Sequence, residues 1–211
     1  RLLAPIWLGL GSGASGHGSS VNATIYSDNG GRTWHVGEIA VPDKGDFPSP
    51  NESTVIERAD GSVIMNFRCT SAHDRRGITT SRDGVSNWSA PHFDEALVDP
   101  ICAAGLVRAP QKKDPPLWLF SNPNNLTRAD KKDLPNKDRR NLTLRYSHDE
   151  GATWTIARVL EPGTSAYSDL AVLEDGTILC HYETRRPDGV NVLRLARIPR
   201  EIIPAANTKN R

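Results

Sequence analysis

Three times along the chain a serine is followed, seven residues later, by a tryptophan. The phrases are "SDNGGRTW" (Ser27 to Trp34), "SRDGVSNW" (Ser81 to Trp88) and "SHDEGATW" (Ser147 to Trp154). The third fits S-x-D-x-G-x-T-W at every position, through Ser147, Asp149, Gly151, Thr153 and Trp154. The first has Asn29 in place of the Asp, and the second has Val85 and Asn87 in place of the Gly and Thr. Such a phrase suits a hairpin turn. Ser and Asp side chains bond turn backbone groups, Gly accepts positive φ, and the Trp is expected to bury itself as a plug. The tryptophans stand 54 and 66 residues apart. A repeat of roughly 40 to 50 residues or slightly more, with several short strands in each, is a propeller-like signature.

A second repeat constrains the register. "ESTVIERADGSVIMNFR" (Glu52 to Arg68) and "YSDLAVLEDGTILCHYE" (Tyr167 to Glu183) are each 17 residues long, with Asp60-Gly61 and Asp175-Gly176 at matching places. Asp-Gly between apolar runs is the strongest short hairpin signal. Folding each segment about its Asp-Gly puts Glu52 beside Arg68 and Tyr167 beside Glu183, opposite or one residue from opposite. Both pairs then lie at the open ends of equivalent hairpins.

Further strand candidates are "NATIYS", "GITTSR", "LWLFSN", "LTLRYS", "WTIARVL" and "VLRLARI", and helical periodicity is missing throughout. With 17 Gly and 15 Pro, the composition suits a turn-rich all-β fold. The expected architecture is a β-propeller of about four blades over residues 1–200, followed by a tail at 201–211 whose last residues fray. The segment 128–140, "RADKKDLPNKDRR", carries nine charges in thirteen residues and reads as a solvated loop. Cys69, Cys102 and Cys180 lack metal-ligand spacing and read as buried free thiols. The formal net charge of +1 points to no nucleic-acid partner, and no apolar run approaches the roughly 20 residues that span a bilayer. The chain opens on Arg1 in an apparent strand, without an initiator Met or a signal peptide. A processed or truncated piece is the expectation, with the N-terminal blades missing.

A propeller's innermost strands line a central channel, whose mouth takes ligands. A carboxylate, an arginine, a tyrosine and a second carboxylate at register-matched positions there are more than a polar boundary requires. Structural repetition explains the shared register but not the choice of residue types.

These stretches, with "RNLTLRYSHDEGATW" before the second hairpin, resemble the later blades of exo-sialidases, glycoside hydrolases with six-bladed propellers carrying Asp boxes. The resemblance covers about residues 1 to 200. It implies Tyr167 as nucleophile, Glu52 as the carboxylate that accepts its proton, and Arg68 as the second of three arginines clamping the sugar carboxylate. Arg139 would be the third, with Arg140 and Arg145 as competitors; Arg145, alternating within a strand, is expected to face outward or pair on its blade. Glu183 would orient the first clamp arginine. The chemistry suits these types. An anionic nucleophile would be repelled by the carboxylate on a sialoside's anomeric carbon, whereas a phenol is neutral until a base removes its proton. Arginine's planar fork meets a carboxylate in bidentate fashion and keeps its charge.

The resemblance implies a sialylated glycan as substrate, no cofactor and no metal, and a secreted, periplasmic or cell-surface location. The family's first clamp arginine and acid/base aspartate belong to earlier blades and have no counterpart here, so these 211 residues alone are expected to be inactive. The alternative is a carbohydrate-binding or structural Asp-box propeller without catalysis.

Overall fold

The computed structural model describes residues 1–11, 18–110, 116–130 and 137–206. They divide into two compact units: Arg1–Ala103 with Leu126–Asp138, and Ala104–Asn125 with Arg139–Arg211. Thirteen strands and one 3-10 turn make up the regular structure of the described residues, so the fold is all-β.

In the first unit β1 (Leu2–Gly9), β2 (Ser20–Ser27) and β3 (His35–Val41) form one antiparallel sheet. β4 (Ser53–Glu57), β5 (Val63–Phe67), β6 (Arg75–Ser81) and β7 (His92–Val98) form a second, in chain order. Phe67 lies at the heart of its core, fully buried with Met65 and Val41, and packs edge-on against Phe47 at 5.7 Å. Each such side chain buried contributes about 1.5–3 kcal/mol.

The second unit holds β8 (Gly105–Arg108), β9 (Trp118–Pro123), β10 (Arg140–Ser147), β11 (Thr155–Val172), β12 (Ile178–Arg185) and β13 (Asn191–Ile198). β11 changes partners along its length. Its first part pairs with β10 as far as Thr164, and its second part pairs with β12 from Ser165 onward. One strand thus closes the sheet β8-β9-β10 and opens the sheet β12-β13. The sequence suggests two separate strands here, split by Pro162-Gly163, but the backbone runs straight through. Proline is tolerated because this stretch of β11 pairs only with β10, leaving an edge where a missing N–H costs no ladder bond. Counting β11 in both sheets, the strands fall into four groups, as the repeats predict.

The repeated phrases occupy the β2–β3, β6–β7 and β10–β11 turns, always before the last strand of a group. In the complete copy, Asp149 accepts the Thr153 N–H at 2.8 Å, and Ser147 Oγ accepts the Gly151 N–H at 2.9 Å. Asn29 reproduces this by accepting the Thr33 N–H at 3.0 Å, so an amide serves as well as a carboxylate. In the middle copy Asp83 gathers the Val85 and Ser86 N–H groups, both at 2.9 Å, which hold its carboxyl below the usual carboxylate range. The plug expectation holds only in part. Trp88 packs on the first unit's core and Trp154 lies 5.7 Å from Phe120, but Trp34 is 45 % exposed and bonds its own turn at Gly31.

The 128–140 loop, Arg145 and the tail are each placed in part. The part of the 128–140 loop at 131–136 lies outside the described residues; of its flanks, Ala129, Asp130 and Arg140 are exposed as expected, and two contacts tie the loop down. Lys137 pairs with Asp74 at 3.4 Å with both side chains largely buried, and Asp138 accepts the Ala129 N–H at 2.6 Å. Of the two alternatives for Arg145, facing outward is excluded by its burial, at 7 % exposure, and pairing on its blade remains. The tail keeps its packing past 201: Arg200–Ile202 make the 3-10 turn and Ile203 is buried in the second unit's core. Of the frayed end expected over 204–211, residues 207–211 lie outside the described residues.

All three cysteines are buried, and none is in a disulfide. Burial pushes the Cys69 thiol up to about 12 and the Cys180 thiol up to about 11. Since the thiolate is the nucleophile, an aromatic disulfide reagent at pH 8 is expected to leave all three unlabelled in the native state and to titrate three thiols in denaturant. A rapid native-state reaction at any of them would contradict this packing.

Candidate active site

The Asp-Gly turns set the geometry of both hairpin ends. Gly61 and Gly176 take φ of 82° and 84°, a conformation that favours glycine, and Asp60 and Asp175 each accept the N–H two residues on, at 2.9 and 2.8 Å. From the first turn the ladder runs in strict register to Ser53 opposite Phe67, and the Arg68 N–H donates to the Glu52 carbonyl at 3.0 Å. Glu52 and Arg68 are therefore opposed, as the spacing predicts, and their side chains form a salt bridge. Arg68 is 7 % exposed and Glu52 half-buried, so this pair is shielded more than a surface one.

Glu52 is also held from behind. The Asn51 side-chain oxygen accepts the Glu52 N–H at 2.8 Å, and the Asn51 N–H donates to the Arg68 carbonyl at 2.9 Å. Beneath them lies a fully buried ion pair that the sequence reading did not single out: Arg76 and Asp99, 3.2 Å apart at 0 % and 2 % side-chain exposure. Its partners are 23 residues apart, and Arg76 sits in "RRGITTS" beside the similar Arg75, so no local pattern marks it. Burial pushes the Asp99 carboxyl up, against the pull of Arg76 and of the Cys102 N–H, which donates to it at 3.0 Å.

In the second unit the ladder runs from Val172 opposite Ile178 to Ser168 opposite Tyr182, then shifts before Ser165 meets Thr184. Tyr167 sits in that irregularity, and its N–H donates to a Glu183 carboxylate oxygen at 3.3 Å. Arg139 enters from the residue before β10, where its carbonyl accepts the Ser165 N–H at 3.0 Å. Its guanidinium carbon lies 5.3 Å from the centre of the half-buried Tyr167 ring. A cation on an aromatic face is worth about 0.5–2 kcal/mol, depending on its exposure. Arg140, one residue on, is exposed, and Arg145 is buried within β10. Arg139 is thus the competitor whose guanidinium is seated on the tyrosine. A cavity of about 280 Å³ opens beside Glu183, between the β11 irregularity and β13. Among the described residues no cluster of three or more His, Cys, Asp or Glu gathers where it could hold a metal ion.

The BNR repeat-like domain family matches residues 2–180. The chain belongs to that family. Among its relatives is a sialidase of Micromonospora viridifaciens, 34% identical over 167 residues, which cover 76% of this chain and 23% of the relative. A sialidase of Vibrio cholerae is 29% identical over 195 residues, covering 83% of this chain and 24% of the relative. The BNR chain thus spans about a quarter of the length of these curated relatives. Among solved structures it is similar to the Hadza microbial sialidase Hz136, with a TM-score of 0.65, 27% identity, and coverage of 84% of this chain and 32% of that one. The fold is that of the sialidase β-propellers, and this BNR chain covers part of one.

Proposed function

We propose that this chain carries part of the active site of a retaining exo-sialidase, which releases terminal sialic acid from glycans. The observation that carries the reading is the guanidinium of Arg139 over the ring of Tyr167, with the Glu183 carboxylate on the Tyr167 backbone. The names of the relatives agree with it. In this reading Arg68 and Arg139 grip the sugar carboxylate and fix the anomeric carbon over Tyr167. Glu52 takes the phenol proton as Tyr167 Oη bonds to that carbon. The bond to the aglycone oxygen breaks, and that oxygen takes a proton from a general acid outside these 211 residues. Water then displaces Tyr167 and regenerates the phenol. Glu183 orients the first clamp arginine, also supplied from outside the chain.

The test is binding and turnover in the protein at the length of its relatives. Arg68→Ala and Arg139→Ala are each expected to weaken binding of a sialic acid analogue by about ten- to a hundred-fold, since a charge-assisted contact is worth about 1.5–3 kcal/mol. The 211 residues alone are expected to give no turnover of an aryl sialoside. Analogue affinity that is indifferent to both substitutions overturns the clamp, and tight binding without turnover at full length overturns the hydrolase.

A further inference from the structure

We infer that Arg76, held by Asp99 and Asn66, is a positioning residue for Glu52. This rests on the reading of Glu52 as the proton acceptor. The guanidinium of Arg76 is fully buried and spends its donors on four acceptors from three different segments. Nε donates to Asn66 Oδ1 at 2.7 Å on the neighbouring strand β5. Nη1 donates to Asp99 Oδ2 at 3.2 Å and to the Cys102 carbonyl at 3.0 Å, both beyond the end of β7. Nη2 reaches the Glu52 carbonyl at 3.5 Å, the long end of the hydrogen-bond range, where the Arg68 N–H also donates at 3.0 Å.

The planar fork thus braces the segment before β4 against β5 and the segment after β7. Glu52 precedes the first ladder pair of its sheet, Ser53 with Phe67, so the strand ladder alone does not fix it. Its backbone is set instead by Asn51 on the N–H side and by Arg68 and Arg76 on the carbonyl side. A carboxylate that must meet a phenol proton loses rate steeply when displaced, by about a hundred-fold for an ångström. Lysine keeps the charge, so Asp99 keeps a counterion, but an ammonium cannot span this planar set of acceptors.

The experiment is a double-mutant cycle on aryl sialoside hydrolysis by the protein at the length of its relatives, with melting temperatures measured for every variant. Arg76→Lys is expected to lower kcat by about ten- to a hundred-fold with KM held within about two-fold. Placed on Glu52→Gln, the same change is expected to cost less than about two-fold more, because a residue acting through Glu52 has nothing left to position. Asn66→Ala, which removes one anchor of Arg76, gives the same pattern more mildly and decides the matter should Arg76→Lys fail to fold. Equal losses in both backgrounds overturn the inference and leave Arg76 a role in the fold only. Native kcat in Arg76→Lys beside a crippled Glu52→Gln also overturns it. A fully active Glu52→Gln overturns instead the assignment of Glu52 on which the inference rests.

Discussion

Tyr167→Phe, made in the protein at the length of its relatives, is expected to lower the hydrolysis of an aryl sialoside by on the order of a thousand-fold or more, equivalent to about 4 kcal/mol or more in the barrier. The substitution removes one oxygen and little else. The ring remains for Arg139 to sit on, and the backbone N–H that donates to Glu183 is untouched. Fold and ligand affinity should therefore survive, with the loss falling on kcat. A competitive sialic acid analogue should bind the variant within about three-fold of the parent, because such a small free-energy change lies well below one charged contact. Near-native turnover by Tyr167→Phe would remove the nucleophile assignment, whatever the affinity did.

The second large effect is on stability. Gly77 on β6 faces Phe67 on β5, and a Cβ at Gly77 would stand 2.1 Å from Phe67 Cζ and 2.3 and 2.7 Å from two further ring atoms. Backbone φ is not the reason for this glycine; the close approach of the ring is. Phe67 has no exposed surface and packs against Phe47, so it has little room to yield. Gly77→Ala is expected to cost about 1–3 kcal/mol through overpacking, lowering Tm by roughly 3–10 °C for a chain of this size. Gly9→Ala is the natural control, because nothing lies within 4 Å of its added Cβ. Arg68 directly follows Phe67, so a displaced ring should also weaken analogue binding. A calorimetric Tm for Gly77→Ala equal to that of Gly9→Ala would show that the ring moves freely.

Much of the scaffold was legible in the sequence because it is locally encoded. Asp-Gly fixes a two-residue turn, the turn fixes the register, and the register alone brings Glu52 to Arg68 and Tyr167 to Glu183. The serine-to-tryptophan phrases serve as a ruler, because they mark the turn before the last strand of each group. What escaped was set by tertiary context. The Arg76–Asp99 pair joins positions on either side of a whole strand, and no spacing rule announces it. Alternation left Arg145 either facing outward or paired on its blade, and only its burial in the folded sheet excludes the first. Pro162-Gly163 carries the composition of a turn, but an open strand edge let the chain stay extended. Trp34 and Trp154 occupy the same place in their phrases, and only Trp154 finds an aromatic neighbour in Phe120 to lie against.

The handover within β11 has a mechanical meaning. Between the first two sheets the chain passes through a loop, where a few dihedral angles could absorb a swing. Between the last two it passes through one continuous strand, so β10 and β12 are joined through a shared backbone with no loop between them. Tyr167 stands just past the point where that strand changes partners, clamped by β12 on the far side and backed by Arg139 at the foot of β10. The ring of Tyr167 is thus carried on backbone that two sheets share, rather than on a connecting loop.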